Sequence, residues 1–136
     1  MSLYEPWARG DAGPYLPAGY AEPARYFVAF RTEWLTRLGL SPAYTEVLLA
    51  CGDSMDPTIS DGDLLLIDRR ATRIAESGIY VLMIGGAVSV KRVQIRRDGT
   101  AVLISDNARY ENESITASEV QRTQAVGRVR WFGRLI

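Results

Sequence analysis

One serine of this chain lies in a local pattern that could support nucleophilic catalysis. Ser54 follows an apolar segment and Gly52, in the run Gly-Asp-Ser-Met-Asp-Pro-Thr, where a sharp turn is predicted. Backbone N–H groups at such a turn lack sheet partners and can donate hydrogen bonds to an oxyanion that forms on a substrate carbonyl. We therefore predict Ser54 as the nucleophile, with the backbone N–H groups of Ser54 and Met55 as oxyanion donors. A polar turn that only connects two strands is the alternative.

One lysine lies in a second pattern that could supply the base. Lys91 belongs to the apolar run Val-Ser-Val-Lys-Arg-Val, in which strand alternation places it on one face with Ser89. Small and apolar neighbours remove water from an amine, which lowers its pKa and lets the neutral form accept a serine proton. We predict Lys91 as the general base, Ser89 as the residue that orients its amine, and Arg92 as a surface residue. The alternative is an edge-strand lysine whose ammonium group lies in water.

The composition removes several other kinds of chemistry. The 136 residues include no histidine, which excludes Ser-His-Asp triads, Cys-His pairs and histidine-ligated metals, so neither a metal nor a cofactor is predicted. Sixteen basic and 16 acidic residues balance, which argues against a nucleic-acid-binding surface on this chain. Cys51 is the only cysteine, and no apolar run approaches the ~20 residues of a membrane span. We predict a cytoplasmic protein that does not bind membranes.

The elements that must position these two side chains are predominantly strands. Proline and glycine recur through residues 1–24, which predicts a flexible N-terminal arm, whereas residues 25–136 are predicted to form one domain. A short helix is predicted over Thr32–Leu38, and Gly85-Gly86 is typical of a hairpin turn. Short, closely spaced strands favour a mainly β barrel or sandwich. The predicted strands are Val47–Cys51, Leu64–Ile67, Ile79–Ile84, Ala87–Ile95, Ala101–Ile104 and Ala125–Trp131.

Four segments together resemble a known family. The serine segment and the Asp-Gly-Asp that follows it are similar to the nucleophile segment of the LexA, UmuD and phage-repressor peptidases. Lys91 follows Ser54 by 37 positions (91 − 54), a gap similar to that family's. The other segments resemble the family's base strand, a segment that follows it, and a strand near the dimer contact. These are Val90-Lys91-Arg92, Ser105-Asp106-Asn107 with Tyr110, and Val126-Gly127-Arg128-Val129.

The resemblance implies a fold, an activity and partners. It implies a LexA/signal-peptidase-like β-rich domain with one short helix, which cuts an Ala-Gly or Cys-Gly bond in its own arm. It also implies a homodimer formed through this C-terminal domain and cleavage stimulated by the RecA filament on single-stranded DNA. Operator DNA would be bound only through a helix-turn-helix domain that this chain lacks. Ala18-Gly19 lies 36 positions before Ser54 (54 − 18) and is favoured as the scissile bond, with Ala12-Gly13 as the alternative.

Three other functions remain open at this point. The domain could be a non-catalytic dimerisation module of a repressor, or a UmuD-like accessory subunit of a DNA polymerase. A signal-peptidase-like enzyme that acts on other proteins is disfavoured because no membrane anchor is evident. One departure also bears on the dyad: Asp53 and Asp56 flank Ser54 and would raise the pKa of Lys91 if they pointed inward. We expect both carboxylates to face solvent or to cap turns.

Overall fold

An eight-stranded antiparallel sheet forms most of the part of the chain that the structure describes. The structure is a computed structural model that describes the backbone of residues 21–23, and residues 29–134 and 136. The strand order in the sheet is β1-β2-β3-β8-β4-β5-β6-β7. The strands are β1 (Ala21–Pro23), β2 (Thr45–Ala50), β3 (Leu64–Asp68), β4 (Gly78–Ile84), β5 (Ala87–Ile95), β6 (Ala101–Ile104), β7 (Glu113–Ile115) and β8 (Gln124–Gly133).

The sheet is curved, so that the strand at one end, β1, approaches β5. Strand β1 pairs with β2 and also lies against β5, five positions further along the sheet order. Alternate residues of the strands therefore point into an enclosed space, where apolar side chains form the central core. This core comprises Leu48, Ala50, Met55, Ile59, Leu65, Ile67, Val81, Val88 and Val90.

Two further apolar clusters cover the outer face of the sheet. Helix α1 (Thr32–Arg37) packs its buried Leu35 against the outer face of β2 and β3, where Trp34 and Trp131 make an edge-to-face contact. Helix α2 (Ala117–Arg122) packs Val120 against the outer face of β4, β5 and β6. A short 3-10 helix spans Pro42–Tyr44. Both faces of the sheet are thus buried by apolar side chains, the inner face in the central core and the outer face under the two helices. Burial of both faces holds the strands in register.

Strand β8 lies in the middle of the sheet and contains two bulges. Its pairing with β3 skips Arg130, and its pairing with β4 skips Val126. A bulge bends a strand and increases its twist. We attribute part of the curvature of the sheet to these two positions, because β8 joins the two halves of the sheet.

The predicted fold class is confirmed, since the structure is mainly antiparallel β. The predicted helix and all six predicted strands are present, with ends that differ by a few residues. Strand β1 was not predicted: it lies inside the arm assigned to residues 1–24, the rest of which lies outside the described residues. Strand β7 and helix α2 were also missed, so the described part of the chain has more than one short α-helix.

The described helices are short. Both α-helices have six residues, and neither is long and apolar enough to cross a bilayer.

Candidate functional site

Ser54 lies in a sharply turned loop that follows β2. Gly52 has a φ of 85°, a conformation that favours glycine, and its N–H donates to Asp61 Oδ1 at 2.7 Å. Met55 and Ile59 insert their side chains into the central core and anchor the loop. Ser54 is 6% exposed, so this loop holds its nucleophile candidate at the edge of the core. The sequence prediction of a turn at Gly52 is confirmed.

The surroundings of Ser54 contain unpaired donors and a small apolar recess. Among the described residues, neither the Ser54 N–H nor the Met55 N–H donates a hydrogen bond. Next to Ser54 lies a pocket of about 10 Å³, which is room for roughly one water molecule or methyl group. The pocket is lined by Ala50, Cys51, Gly52, Ser54, Met55, Ile59 and Val90.

Lys91 is half-buried on β5, and its amine donates a hydrogen bond to Ser105 Oγ at 2.6 Å. Burial lowers the pKa of the Lys91 amine below its ordinary value, and the nearby Glu113 carboxylate opposes that shift. Ser105 is itself buried, directly after β6. The Lys91 amine is therefore easier to deprotonate than that of an exposed lysine.

The segment Ser105–Asn107 connects the lysine strand to the serine loop. Ser105 binds the Lys91 amine, and two residues later the Asn107 N–H donates to the Ser54 carbonyl oxygen at 3.0 Å. The Asn107 side-chain amide also donates to the Asp53 carbonyl oxygen at 2.9 Å. Among the described residues, the Ser54 hydroxyl and the Lys91 amine do not hydrogen-bond each other. The two groups are thus linked through one short segment.

A second connection runs in parallel through Asp106. The Arg92 guanidinium donates to both Asp106 carboxylate oxygens, at 2.9 and 2.8 Å, and Thr58 Oγ1 donates to Asp106 Oδ2 at 2.6 Å. Arg92 follows Lys91, and Thr58 lies in the serine loop. The Arg92 guanidinium holds the pKa of the Asp106 carboxyl below its usual range, and the Thr58 hydroxyl adds to this effect.

The two acidic neighbours of Ser54 have partners of their own. Asp53 is exposed, and its carboxylate accepts a hydrogen bond from the Tyr110 hydroxyl. Asp56 accepts a hydrogen bond from Ser60 Oγ at 2.6 Å, inside the loop. The expectation that these carboxylates face solvent or cap a turn is confirmed. The carboxylate that raises the pKa of Lys91 is that of Glu113 on β7.

Sequence reasoning missed two partners in this site. The predicted orienting residue was Ser89, whereas the hydrogen bond of the Lys91 amine goes to Ser105. Arg92 is partly exposed, but it is ion-paired with Asp106 and is not a plain surface residue. Both missed partners, Ser105 and Asp106, lie in the run Ser105-Asp106-Asn107. This run resembles a segment of the family, but no role was predicted for it from the sequence. Both candidate scissile pairs, Ala18-Gly19 and Ala12-Gly13, lie outside the described residues.

Comparison with known proteins finds a family match and relatives that are named as a transcriptional regulator and as repressors. A family model described as Peptidase S24-like matches residues 11–130. An uncharacterized HTH-type transcriptional regulator of Haemophilus influenzae is 35% identical over 104 residues, which cover 76% of this chain and 44% of that protein. The 26 kDa repressor protein of Escherichia phage HK022 is 37% identical over 84 residues, 62% of this chain and 35% of that protein. The LexA repressor of Cupriavidus pinatubonensis is 38% identical over 81 residues, 57% of this chain and 36% of that protein.

The fold, the serine and lysine segments and these matches define a β-rich domain of the serine peptidase class that is shared with transcriptional repressors. The chain belongs to the Peptidase S24-like family. It spans less than half the length of the curated relatives described above.

Proposed function

We propose that this domain cleaves its own N-terminal arm with a Ser54–Lys91 dyad and forms the dimerising part of a LexA-like or phage-repressor-like regulator. One observation carries the proposal: a single segment, Ser105–Asn107, binds both the half-buried Lys91 amine and the backbone carbonyl of Ser54. Such a link positions a base and a nucleophile relative to each other.

In the proposed reaction, the neutral Lys91 amine removes the proton from the Ser54 hydroxyl as Ser54 Oγ attacks the scissile carbonyl carbon. The unpaired N–H groups of Ser54 and Met55 donate to the resulting oxyanion. The Lys91 ammonium then returns its proton to the leaving amine as the C–N bond breaks, which leaves an acyl-Ser54 ester. Water, deprotonated by the same amine, hydrolyses that ester and regenerates Ser54.

The pairing of β1 favours Ala18-Gly19 as the scissile bond. Ala21 pairs with Ala50, in an antiparallel register, at the end of β2 that leads into the serine loop. In the sequence, Gly19 precedes Ala21 by two residues, so the Ala18-Gly19 bond is the candidate that lies nearer along the chain to this end of β2. Gly13 is six residues further from β1, a distance of roughly 20 Å in extended chain.

The pocket beside Ser54 supports a small residue on the acyl side of the cut. Its volume of about 10 Å³ suits a methyl side chain such as that of alanine, and its walls are mostly apolar. A longer side chain would have to displace Met55, Ile59 or Val90, which all belong to the central core.

The partners of the whole regulator belong to the same proposal. We infer a homodimer formed through this domain, cleavage stimulated by a RecA filament on single-stranded DNA, and operator binding by a helix-turn-helix domain outside this chain. The setting would be the cytoplasm. The repressor names of the relatives support a DNA-binding regulator, whereas stimulation by RecA rests on the family resemblance alone. The alternatives are an inert dimerisation module of a repressor and a UmuD-like polymerase accessory subunit.

Alkaline incubation of the purified chain tests the proposal, because high pH deprotonates Lys91 without any stimulating partner. We expect the chain to be cut once, with mass spectrometry showing a new N-terminus at Gly19. Ser54→Ala and Lys91→Ala should remain folded and uncut. A chain that stays intact at every pH, together with its variants, would support the inert module, and a cut that persists in Lys91→Ala would refute the role of the base.

A further inference from the structure

Arg134, which directly follows β8, binds residues of the serine loop other than those bound by Asn107. Its Nε donates to Asp63 Oδ1 at 2.7 Å, and its Nη2 donates to Asp63 Oδ2 at 2.9 Å. The same Nη2 donates to Ser60 Oγ at 2.9 Å. The hydroxyl of Ser60 in turn donates to Asp56, which lies two residues after Ser54.

Asp63 closes the neck of this loop. Its carbonyl oxygen accepts a hydrogen bond from the Ala50 N–H at 2.8 Å, and Gly62 N–H donates to the Ala50 carbonyl oxygen at 2.7 Å. Its carboxylate also accepts from the Ser60 N–H at 2.8 Å. Asp63 is fully buried, and the hydrogen bonds from Arg134 hold the pKa of its carboxyl below the usual range. A buried carboxylate that is also hydrogen-bonded by the loop must keep its counter-charge in place.

We propose that Arg134 is a positioning residue for the nucleophile: it holds the Asp56–Asp63 half of the serine loop and thereby fixes the direction of the Ser54 hydroxyl. Arg134 touches neither Ser54 nor Lys91 in the described contacts, so it acts through Asp63, Ser60 and Asp56. This inference rests on the proposed self-cleavage. It also implies that the end of β8, 71 positions away from Asp63, contributes to the activity of the site.

The test measures the rate of alkaline self-cleavage against pH for Arg134→Met and for the matched control Arg130→Met. Arg130 lies four positions before Arg134, on β8. Its guanidinium binds the Leu38 carbonyl oxygen, beside helix α1. Displacement of a nucleophile by about 1 Å can slow a reaction ~100-fold, so we expect Arg134→Met to lower the plateau rate by at least about tenfold. The pH midpoint should not move, because Lys91 is untouched, and Arg130→Met should cleave like the wild type.

Two further measurements separate positioning from loss of folding. Arg134→Met combined with Asp63→Asn removes the unpaired buried charge and should restore thermal stability but not the cleavage rate. Millimolar guanidinium should partly restore cleavage in Arg134→Ala, and it should not affect Lys91→Ala. Restored cleavage in the double variant, or a wild-type rate in a folded Arg134→Met, would overturn the proposal.

We refer to the contacts of Arg134 with Asp63 and Ser60 as the clamp. Hydrogen exchange at the Ser60 amide tests the clamp independently of activity, because this N–H donates to the Asp63 carboxylate. Exchange should accelerate in Arg134→Met and remain unchanged in Arg130→Met. If the wild type does not cleave at all, the proposed function fails while this measurement still decides the clamp. Unchanged protection at Ser60 would overturn it.

Discussion

At the residue scale, the proposed reaction depends on Lys91 as its base. A lysine amine is normally a poor base near neutral pH because it is protonated. The structure lowers the pKa of Lys91 by partial burial, and Ser105 holds the amine in one direction through a 2.6 Å hydrogen bond. These two effects are separate: burial sets the fraction of neutral amine, and Ser105 sets where its lone pair points.

The pH dependence of self-cleavage should report the Lys91 pKa. The rate is expected to rise with pH and to level off once the amine is neutral, with a midpoint below that of an exposed lysine. Glu113→Gln removes the carboxylate that raises this pKa, so the midpoint should move to lower pH. Rates measured by gel densitometry across an alkaline pH series provide the check. Exposed Glu111→Gln is the control, and a midpoint that rises in Glu113→Gln would contradict the electrostatic assignment.

Ser105 and Ser89 can be compared directly as orienting residues. Ser105→Ala removes the hydrogen-bond partner of the Lys91 amine, and general-base catalysis depends on that geometry, so cleavage should slow about tenfold or more. Ser89→Ala should change the rate less than about twofold, since the amine bonds elsewhere. Plateau rates at alkaline pH are the measurement. A larger loss of rate in Ser89→Ala than in Ser105→Ala would instead support the prediction, made from strand alternation, that Ser89 orients the amine.

At the scale of elements, the site depends on two loops that meet over strand β5. The serine loop follows β2, whereas Ser105–Asn107 follows β6. Strands β2 and β6 are not neighbours in the sheet. Asp106 binds Arg92 on β5 and Thr58 in the serine loop, so one carboxylate joins a strand and both loops. We refer to these contacts of Asp106 as a joint. Their loss should make both loops less ordered at the same time.

Asp106→Asn tests that joint through folding stability. The variant should lose about 1–2 kcal/mol of unfolding free energy at neutral pH, a range reduced because Arg92 is partly exposed. The pKa of Asp106 is depressed in the folded state, so its contribution is present above the unfolded-state pKa and is lost as the pH falls through the folded-state pKa. The deficit should therefore shrink in acid. Urea unfolding of Asp106→Asn, Arg92→Gln and the double variant at both pH values gives the pair's coupling energy, and a coupling near zero would contradict the assigned ion pair.

At the scale of the whole molecule, the sequence predicted most of the fold because apolar periodicity is a local signal. The six predicted strands show that signal, and helix α1, although short, contains the large apolar residues Trp34 and Leu35, with Leu38 directly after it. Strands β1 and β7 have three residues each, too few for a period to be read. Helix α2 has six residues and one buried side chain, although the capping box of Thr116 and Glu119 marks its start. Short elements such as these depend on tertiary pairing, which a local pattern does not encode.

The candidate site was predictable to the same extent and for the same reason. Ser54 and Lys91 were proposed from their immediate neighbours, and their roles remain predictions. The partner of the Lys91 amine lies 14 positions away, on the far side of a strand turn, and the partner of Asp63 lies 71 positions away. The first contact requires the pairing of β5 with β6 in its observed register, and the second requires the end of β8 to lie against the serine loop. Ser89, which is near in sequence, was therefore chosen over Ser105, which is near in space.

The incomplete burial of Lys91 has a kinetic consequence for the proposed reaction. An arm that settles over the amine would strip away remaining water and depress its proton affinity further, so the substrate would help to create its own base. The rate would then follow the fraction of molecules whose arm is docked, because only docked molecules hold the amine in its more dehydrated form. The chain contains no histidine, so a change of cleavage near neutral pH would come from arm occupancy and not from titration of an imidazole.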